Sequence, residues 1–410
     1  MSTTERLYYQ DSHLTEFDAR VVNVASDAAG RVAVTLDRTA FYPTGGGQPS
    51  DTGTLNDARV VECIDEEDAG VLHVIEGTSP SVGERVAGRI DWPRRLDHLQ
   101  QHTGQHILSQ AFVQLFDAPT RAFRMLERVS EIDVDLSEPS TERIEAAVEL
   151  ANRIIWEDRS VRVREVSPPE AAALPLRKDS AREGDLRIIE IENYDLSPCG
   201  GTHAARTGEV GIIAVRSWER AKGLTRLEFL AGGRVLTDYR LANTTARNVG
   251  ALFSAGRDDA VELVARTLEE NKALQRRLRT LEEIAARVEA EELILAATHD
   301  DGDDAHARIV THAFTDRDAE SLKRLALAII ARPKHIALLG SRDREGRAAR
   351  LVFARAADTG GDMNALMRDA CALLEGRGGG RPDLAQGGGT NVENLHDALH
   401  TAAARLAATQ

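Results

Sequence analysis

Asp97-His98-Leu99-Gln100-Gln101-His102-Thr103-Gly104-Gln105-His106 is the stretch on which the fold and chemistry of this 410-residue chain turn. Read as part of a helix over residues 96–116, it sets His98, His102 and His106 four apart, one turn above another on a single face. A lone helical histidine is ordinarily solvated or hydrogen-bonded, but two imidazoles one turn apart can also grip one metal ion. Much farther along, Ser197-Pro198-Cys199-Gly200-Gly201-Thr202-His203 places Cys199 and His203 four apart around two glycines. His102, His106, Cys199 and His203 together make the mixed nitrogen and sulfur set that zinc prefers. A peptidase-type zinc helix needs Glu directly after its first histidine, and Thr103 stands there instead, so that reading lacks its general base.

The length allows two to four domains with a sizeable core. Three widely spaced cysteines, Cys63, Cys199 and Cys371, form no disulfide framework and suit a reducing cytosol. The polar N-terminus and short apolar runs lead us to expect a soluble cytoplasmic protein. The net charge of -15 argues against a general nucleic-acid binder, because phosphate is met by Lys and Arg. Lysine is confined to Lys178, Lys222, Lys272, Lys323 and Lys334 in this acidic chain. That composition reads as the background of a salt-adapted or GC-rich source, so local basic clusters matter more than the total.

Working outward, short strands at 19–25, 31–36 and 71–75 predict a small N-terminal β-barrel. It carries Phe41-Tyr42-Pro43-Thr44-Gly45-Gly46-Gly47-Gln48-Pro49-Ser50-Asp51-Thr52-Gly53. This is either a flexible hairpin loop or a loop whose Gly45, Gly46 and Gly47 let a bound group approach, with Thr44 and Gln48 as its polar readers. Trp92-Pro93 opens the histidine helix, with Leu96, Leu99, Ile107, Leu108, Ala111 and Leu115 on its apolar side. Gly104 inside it costs about 1 kcal/mol relative to alanine, which calls for close packing of a strand or a substrate. Strands follow at 129–134, 161–166 and 187–191, with a helix at 141–156. Strands at 210–217 and 225–231 flank the basic loop Arg220-Ala221-Lys222-Gly223-Leu224-Thr225-Arg226, a solvated turn or a phosphate contact.

From 260 to 295 the chain reads as one long charged helix. Val264, Thr267, Asn271, Leu274, Leu278, Leu281, Ala285 and Val288 trace a heptad seam with Asn271 at an a position. Such a seam predicts a partner helix, either within the chain or in a homodimer. The acidic run His299-Asp300-Asp301-Gly302-Asp303-Asp304 marks a boundary. Beyond it, alternating strands and helices predict a compact α/β module. Its glycine run, Gly378 to Gly389 around Arg381, is either a linker or a loop that cradles phosphate. The fold class is α+β: a β-barrel over 1–90, a metal-binding α/β core over 91–245, a coiled-coil-like helical linker over 246–300 and a C-terminal α/β domain over 301–410.

These motifs resemble those of the stand-alone alanyl-tRNA editing proteins in their long form, and the editing and C-terminal portions of alanyl-tRNA synthetases. The resemblance rests on the Phe41 to Gly53 loop, His102-x-x-x-His106, Cys199-Gly-Gly-Thr-His203 followed by Thr207-Gly208-Glu209, the Lys222 to Arg226 loop, and the glycine run typical of a DHH-associated domain. It implies hydrolysis of serine, and of glycine as a second candidate, wrongly esterified to alanine tRNA, with one zinc ion. On that reading Thr44 reads the seryl hydroxyl, Gln48 fixes backbone or ribose, and His98 supports a metal ligand from behind, carries a proton or is simply buried. The tRNA body would meet Arg94, Arg95, Lys222, Arg226, Arg276, Arg277 and Arg381. No aminoacylation domain is expected ahead of the barrel. Two other readings stand beside it: a zinc-stabilised RNA-binding protein without catalysis, and a DHH-type phosphoesterase, which would need Asp-His-His where this chain has Asp97-His98-Leu99.

Overall fold

The computed structural model describes residues 4–27, 29–66, 70–178, 184–297 and 307–408, so the acidic run at 299–304 lies outside the described residues. The chain divides into two compact units, Met1–Leu252 and Phe253–Gln410. Both mix helices and sheets. Among the described residues no helix is long and apolar enough to cross a membrane.

In the first unit, six strands join antiparallel in a closed ring: Glu16–Ser26, Val32–Leu36, Gly70–Glu76, Ala58–Glu66, Gly53–Leu55 and Arg85–Ile90, the last pairing back to the first. Alternation drives the closure. In Arg85–Ile90, Val86 and Ile90 point inward while Arg85 and Arg89 face solvent, and the interior packs Val21, Val34, Leu36, Phe41, Leu55, Val60 and Val71. His73 is enclosed there. Its Nδ1 donates to the Val34 carbonyl at 2.9 Å, and its Nε2 accepts from Thr39 Oγ1 at 2.7 Å. Burial pushes its pKa down to about 4.

That shift has a pH consequence. The unfolded chain takes up this proton near 6.5, well before the folded one, so the contribution to stability is complete above about 6.5 and is lost as pH falls toward 4. The loss amounts to about 3 kcal/mol. A His73→Gln variant, whatever its stability at neutral pH, is expected to lose about 3 kcal/mol less than the parent over that interval in urea unfolding.

The histidine helix, Trp92–Phe116, opens at Trp92-Pro93 as expected, because Asp91 caps it by accepting the Arg94 N–H and Pro93 suits its first turn. It packs with the helix Thr141–Trp156 on a four-stranded sheet ordered Ile213–Ala221, Leu224–Ala231, Ser130–Val134, Thr120–Met125. Ile107, Leu108, Phe112, Ile132, Ala147, Ile155, Leu227 and Phe229 fill the space between. Gly104 has its reason here: a Cβ on it would lie 3.1 Å from Ala231 Cβ and 3.4 Å from Ile213 Cδ1, so sheet side chains, not a substrate, press on the helix. A second antiparallel sheet, Val161–Val166, Leu186–Ile191 and Asp195–Pro198, ends directly before Cys199. The basic loop is corrected to a tight hairpin: Arg220 and Arg226 pair within the strands, and only Lys222 and Gly223, both with positive φ, make the turn. The helix Gly233–Ala251 was not expected; only Gly250 on it is buried.

In the second unit the long helix runs Ala260–Ala297. Ala290 and Ile294 near its end pack on Leu322, Leu325 and Ile329. Most of the heptad seam, Asn271 included, is exposed; Leu274 retains 66% exposure and Leu278 56%. A five-stranded sheet follows, ordered Arg308–Thr315, His335–Arg342, Ala349–Arg355, Leu384–Gly389, Arg377–Gly380, parallel only in its first pair. The glycine run is therefore two paired strands, a correction to the expected linker or phosphate loop. Its glycines answer to packing: a Cβ at Gly378 or Gly387 would stand 2.7 or 2.4 Å from Cys371 Sγ on the helix Met363–Leu373.

Candidate metal centre

Four side chains from three segments converge in the first unit. His102 and His106 come from one face of the histidine helix, Cys199 from the end of a strand, and His203 from the turn after it. One ligand atom from each lies within 4.8 Å of every other. Cys199 Sγ is 3.4 Å from His102 Nε2 and 3.4 Å from His203 Nε2. A tetrahedral zinc with bonds of roughly 2.0–2.3 Å places its ligands about 3.3–3.8 Å apart, so the donor set and the two Cys–His distances fit that ion.

The outer nitrogens of the three rings are spoken for, which turns the inner ones toward the common centre. His102 Nδ1 meets Gln48 Oε1 at 2.7 Å, and the same amide donates to Thr202 Oγ1 at 2.8 Å. His106 Nδ1 meets Asp195 Oδ2 at 3.1 Å, while Arg177 Nε donates to Asp195 Oδ1 at 2.8 Å. His203 Nδ1 lies 3.4 Å from Thr103 Oγ1. The Cys-Gly-Gly turn is braced by Arg187, whose Nη1 donates to the carbonyls of Cys199 at 2.8 Å and Gly201 at 2.9 Å. Gly201 cannot carry a side chain, because its Cβ would sit 2.2 Å from His102 Cε1.

Electrostatics favour the ligand-ready forms. Burial opposes ionisation of Cys199, but His102 and His203 beside it outweigh that and hold the thiol well below its usual range. Burial, aided by neighbouring His102, holds the His203 imidazole neutral. Burial would raise Asp195; Arg177 and His106 overcome it and lower its pKa to about 2. Asp195→Ala should then weaken metal binding about 10- to 100-fold with the fold intact, read by competition against a chromophoric chelator. Undiminished affinity would remove Asp195 from the support of His106.

The cluster opens on a cavity of about 730 Å³ lined in part by Thr44, Gly45, Gly46, Gln105, Phe123 and Cys199. The structure thus brings Thr44, Gly45 and Gly46 to the four ligands. Gly47, at φ +83, sits against the Phe123 carbonyl instead. Gln48 is 1% exposed and reaches His102, not a ribose. His98 stands outside the cluster, 2% exposed, with Nδ1 unpartnered 4.0 Å from Asp51 Oδ1; burial pushes its pKa down to about 4.

The basic candidates divide. Arg95 is fully buried, bonded to Asp51, the Ala40 carbonyl and the Ser12 carbonyl, which corrects its assignment to tRNA. Arg226 forks onto Asp133 at 2.8 and 3.1 Å. Arg94 Nε donates to the Ser50 carbonyl. Lys222, Arg276, Arg277 and Arg381 are exposed, Arg381 beside Asp383 at 3.2 Å. Sequence reasoning missed Asp195, Arg177 and Arg187; only the place of Asp195, four residues before Cys199 at the start of the strand that leads into it, offered a signal.

Three family models match the chain: the DHHA1 domain over 306–408, the threonyl and alanyl tRNA synthetase second additional domain over 186–228, and the class II (A) tRNA synthetases over 2–94. The alanyl-tRNA editing protein AlaX-L of Pyrococcus horikoshii is 32% identical over 93% of this chain and 94% of its own length. Alanine--tRNA ligases of Methanobrevibacter smithii and Natronomonas pharaonis are 30% and 31% identical over 97% of this chain, which spans only 45% and 43% of theirs. The C-Ala domain of the Aquifex aeolicus alanyl-tRNA synthetase matches 24% of the chain at 26% identity with a TM-score of 0.23.

Proposed function

Because this chain belongs to the alanyl-tRNA editing proteins, in the long form that carries a DHHA1 domain, we propose that it hydrolyses the ester of serine misattached to alanine tRNA, with the glycyl ester as second substrate. His102, His106, Cys199 and His203 would hold one zinc ion. The observation that carries this reading is the convergence of those four ligand atoms within 4.8 Å beside the cavity that Thr44, Gly45 and Gly46 line.

An aminoacyl ester is already activated, so its hydrolysis needs placement and charge stabilisation more than a strong nucleophile. Zinc held by His102, His106, Cys199 and His203 would supply a Lewis acid for this chemistry. The chain's own residues supply selection. Thr44 Oγ1 accepts the Ser50 N–H at 3.1 Å, which leaves its proton to donate into the cavity. Seryl and alanyl esters differ by one hydroxyl, and a site that bonds that hydroxyl can discriminate by about four to five orders of magnitude. Thr44→Val is expected to cut the seryl-over-alanyl ratio of kcat/KM by at least about 10- to 100-fold, the part of that discrimination that one lost hydrogen bond carries. An unchanged ratio would release Thr44 from this role.

The tRNA body is assigned to the exposed Lys222, Arg276, Arg277 and Arg381, and the exposed seam of the long helix to a second copy of the chain. A second reading, a zinc-stabilised RNA-binding protein, draws on the completeness of the ligand set, since four filled positions are the mark of a structural site. Deacylation of seryl- and alanyl-tRNA before and after chelation separates the two. Turnover lost with the fold retained supports the deacylase; collapse of the fold supports the alternative.

A further inference from the structure

Aromatic residues are scarce in this chain, yet of its five tyrosines Tyr8, Tyr9 and Tyr42 all line the cavity beside Cys199. They form a buttressed wall. Tyr8 stands edge-on to Tyr9 at 4.8 Å and to Tyr42 at 5.4 Å, and Tyr8 and Tyr42 are buried while Tyr9 stays partly open. The Tyr9 hydroxyl reaches the metal turn: a Cβ on Gly200 would lie 3.7 Å from it. The Arg187 guanidinium lies 5.1 Å from the Tyr9 ring centroid and that of Arg6 5.7 Å.

Arg187 has the Cys199 thiolate near it but no carboxylate, and its Nη1 is spent on the Cys199 and Gly201 carbonyls. Arg6 forks onto Asp65 and Arg177 onto Asp195, but among the described residues no carboxylate lies within 4.0 Å of Arg187. Lys178, on the same cavity, has no ion-pair partner among the described residues either. Arg187 and the exposed Lys178 give one side of this cavity, which Asp65, Glu165 and Asp185 also line, a place where an anion can be met. In an aminoacyl-tRNA end the amino acid brings an ammonium, which cations repel; the only anion is the phosphodiester of the terminal nucleotide.

We propose that the Tyr9–Arg187 wall is the subsite for the terminal adenosine of the tRNA, its base stacked on this pair and its 5′-phosphate facing Arg187 and Lys178. The proposal rests on the deacylase reading for the identity of its ligand. Stacking on an aromatic ring or an arginine plane is how proteins hold unpaired bases, and it tolerates the neighbouring chemistry because it uses only the base's face. The wall stands one residue from a metal ligand, as the short distance between base and ester demands.

The probe is 5′-AMP, compared with ribose 5-phosphate, titrated calorimetrically into the zinc-loaded full-length protein. AMP should bind at least about tenfold more tightly than ribose 5-phosphate. Tyr9→Leu should weaken AMP about 10- to 100-fold, the size of one base stack, while ribose 5-phosphate is held as before and Tyr9→Phe restores AMP binding. Equal binding of the two probes, or AMP binding untouched by Tyr9→Leu, would overturn the subsite even if seryl-tRNA is hydrolysed. Base-dependent AMP binding lost in Tyr9→Leu, without seryl-tRNA hydrolysis, would sustain the subsite and sink the deacylase.

Discussion

Cys199→Ala is expected to lower zinc affinity by roughly two to three orders of magnitude, about one ligand's share of the total binding energy of a four-ligand site. The thiol is the one donor here that carries a charge, and His102 and His203 hold it ionised against the cost of burial. Cys199→Ser should fare little better, because a hydroxyl does not ionise under the same pull. Fold should survive both changes, since Cys199 is absent from every apolar core and its turn remains braced by Arg187. Metal content and seryl-tRNA hydrolysis should therefore fall together while circular dichroism is unchanged. Retention of zinc at parental affinity would remove Cys199 from the ligand set.

Arg95→Leu is expected to cost about 3–5 kcal/mol of stability, the usual price of leaving one member of a buried ion pair alone. Both partners are fully enclosed: Arg95 and Asp51 each have side chains at 0% exposure. The guanidinium also takes the Ser12 carbonyl at 2.7 Å and the Ala40 carbonyl at 2.6 Å, and Asp51 accepts the Tyr42 N–H at 2.6 Å. One cation thereby joins the N-terminal segment, the entry to the glycine loop, the loop itself and the histidine helix. Urea unfolding measures the loss. Removing both charges in Arg95→Leu/Asp51→Leu should recover part of it, because a neutral pair leaves no stranded charge. A near-neutral single variant would contradict the enclosure of Arg95.

The parts of this fold that could be read from sequence are those where a short period meets a clear boundary. The helix Thr141–Trp156 has an amphipathic pattern and a Ser140 cap and begins and ends where expected. The meeting of His102, His106, Cys199 and His203 in one cluster was legible because spacing by four on a helix and across a glycine turn leaves few other uses for those side chains together. Arg95 was not legible: arginine is almost never fully buried, and its partner lies 44 residues away. Gln48 announced itself as polar and near a site, but its role depends on Thr202, 154 residues distant. The helix Gly233–Ala251 buries almost nothing, so no apolar stripe marks it.

The pairing of Arg377–Gly380 with Leu384–Gly389 against the Cys371 helix bears on how a mutational scan of the tail should be scored. Substituting Gly378 or Gly387 would pry a strand from the margin of its sheet, and a fall in RNA affinity would follow from that misassembly with no nucleotide ever having touched the residue. Variants in the run therefore serve as sensors of tail integrity. A direct contact is better sought at Arg381, on the exposed bend between the two strands, where a side chain can change and leave its neighbours in place.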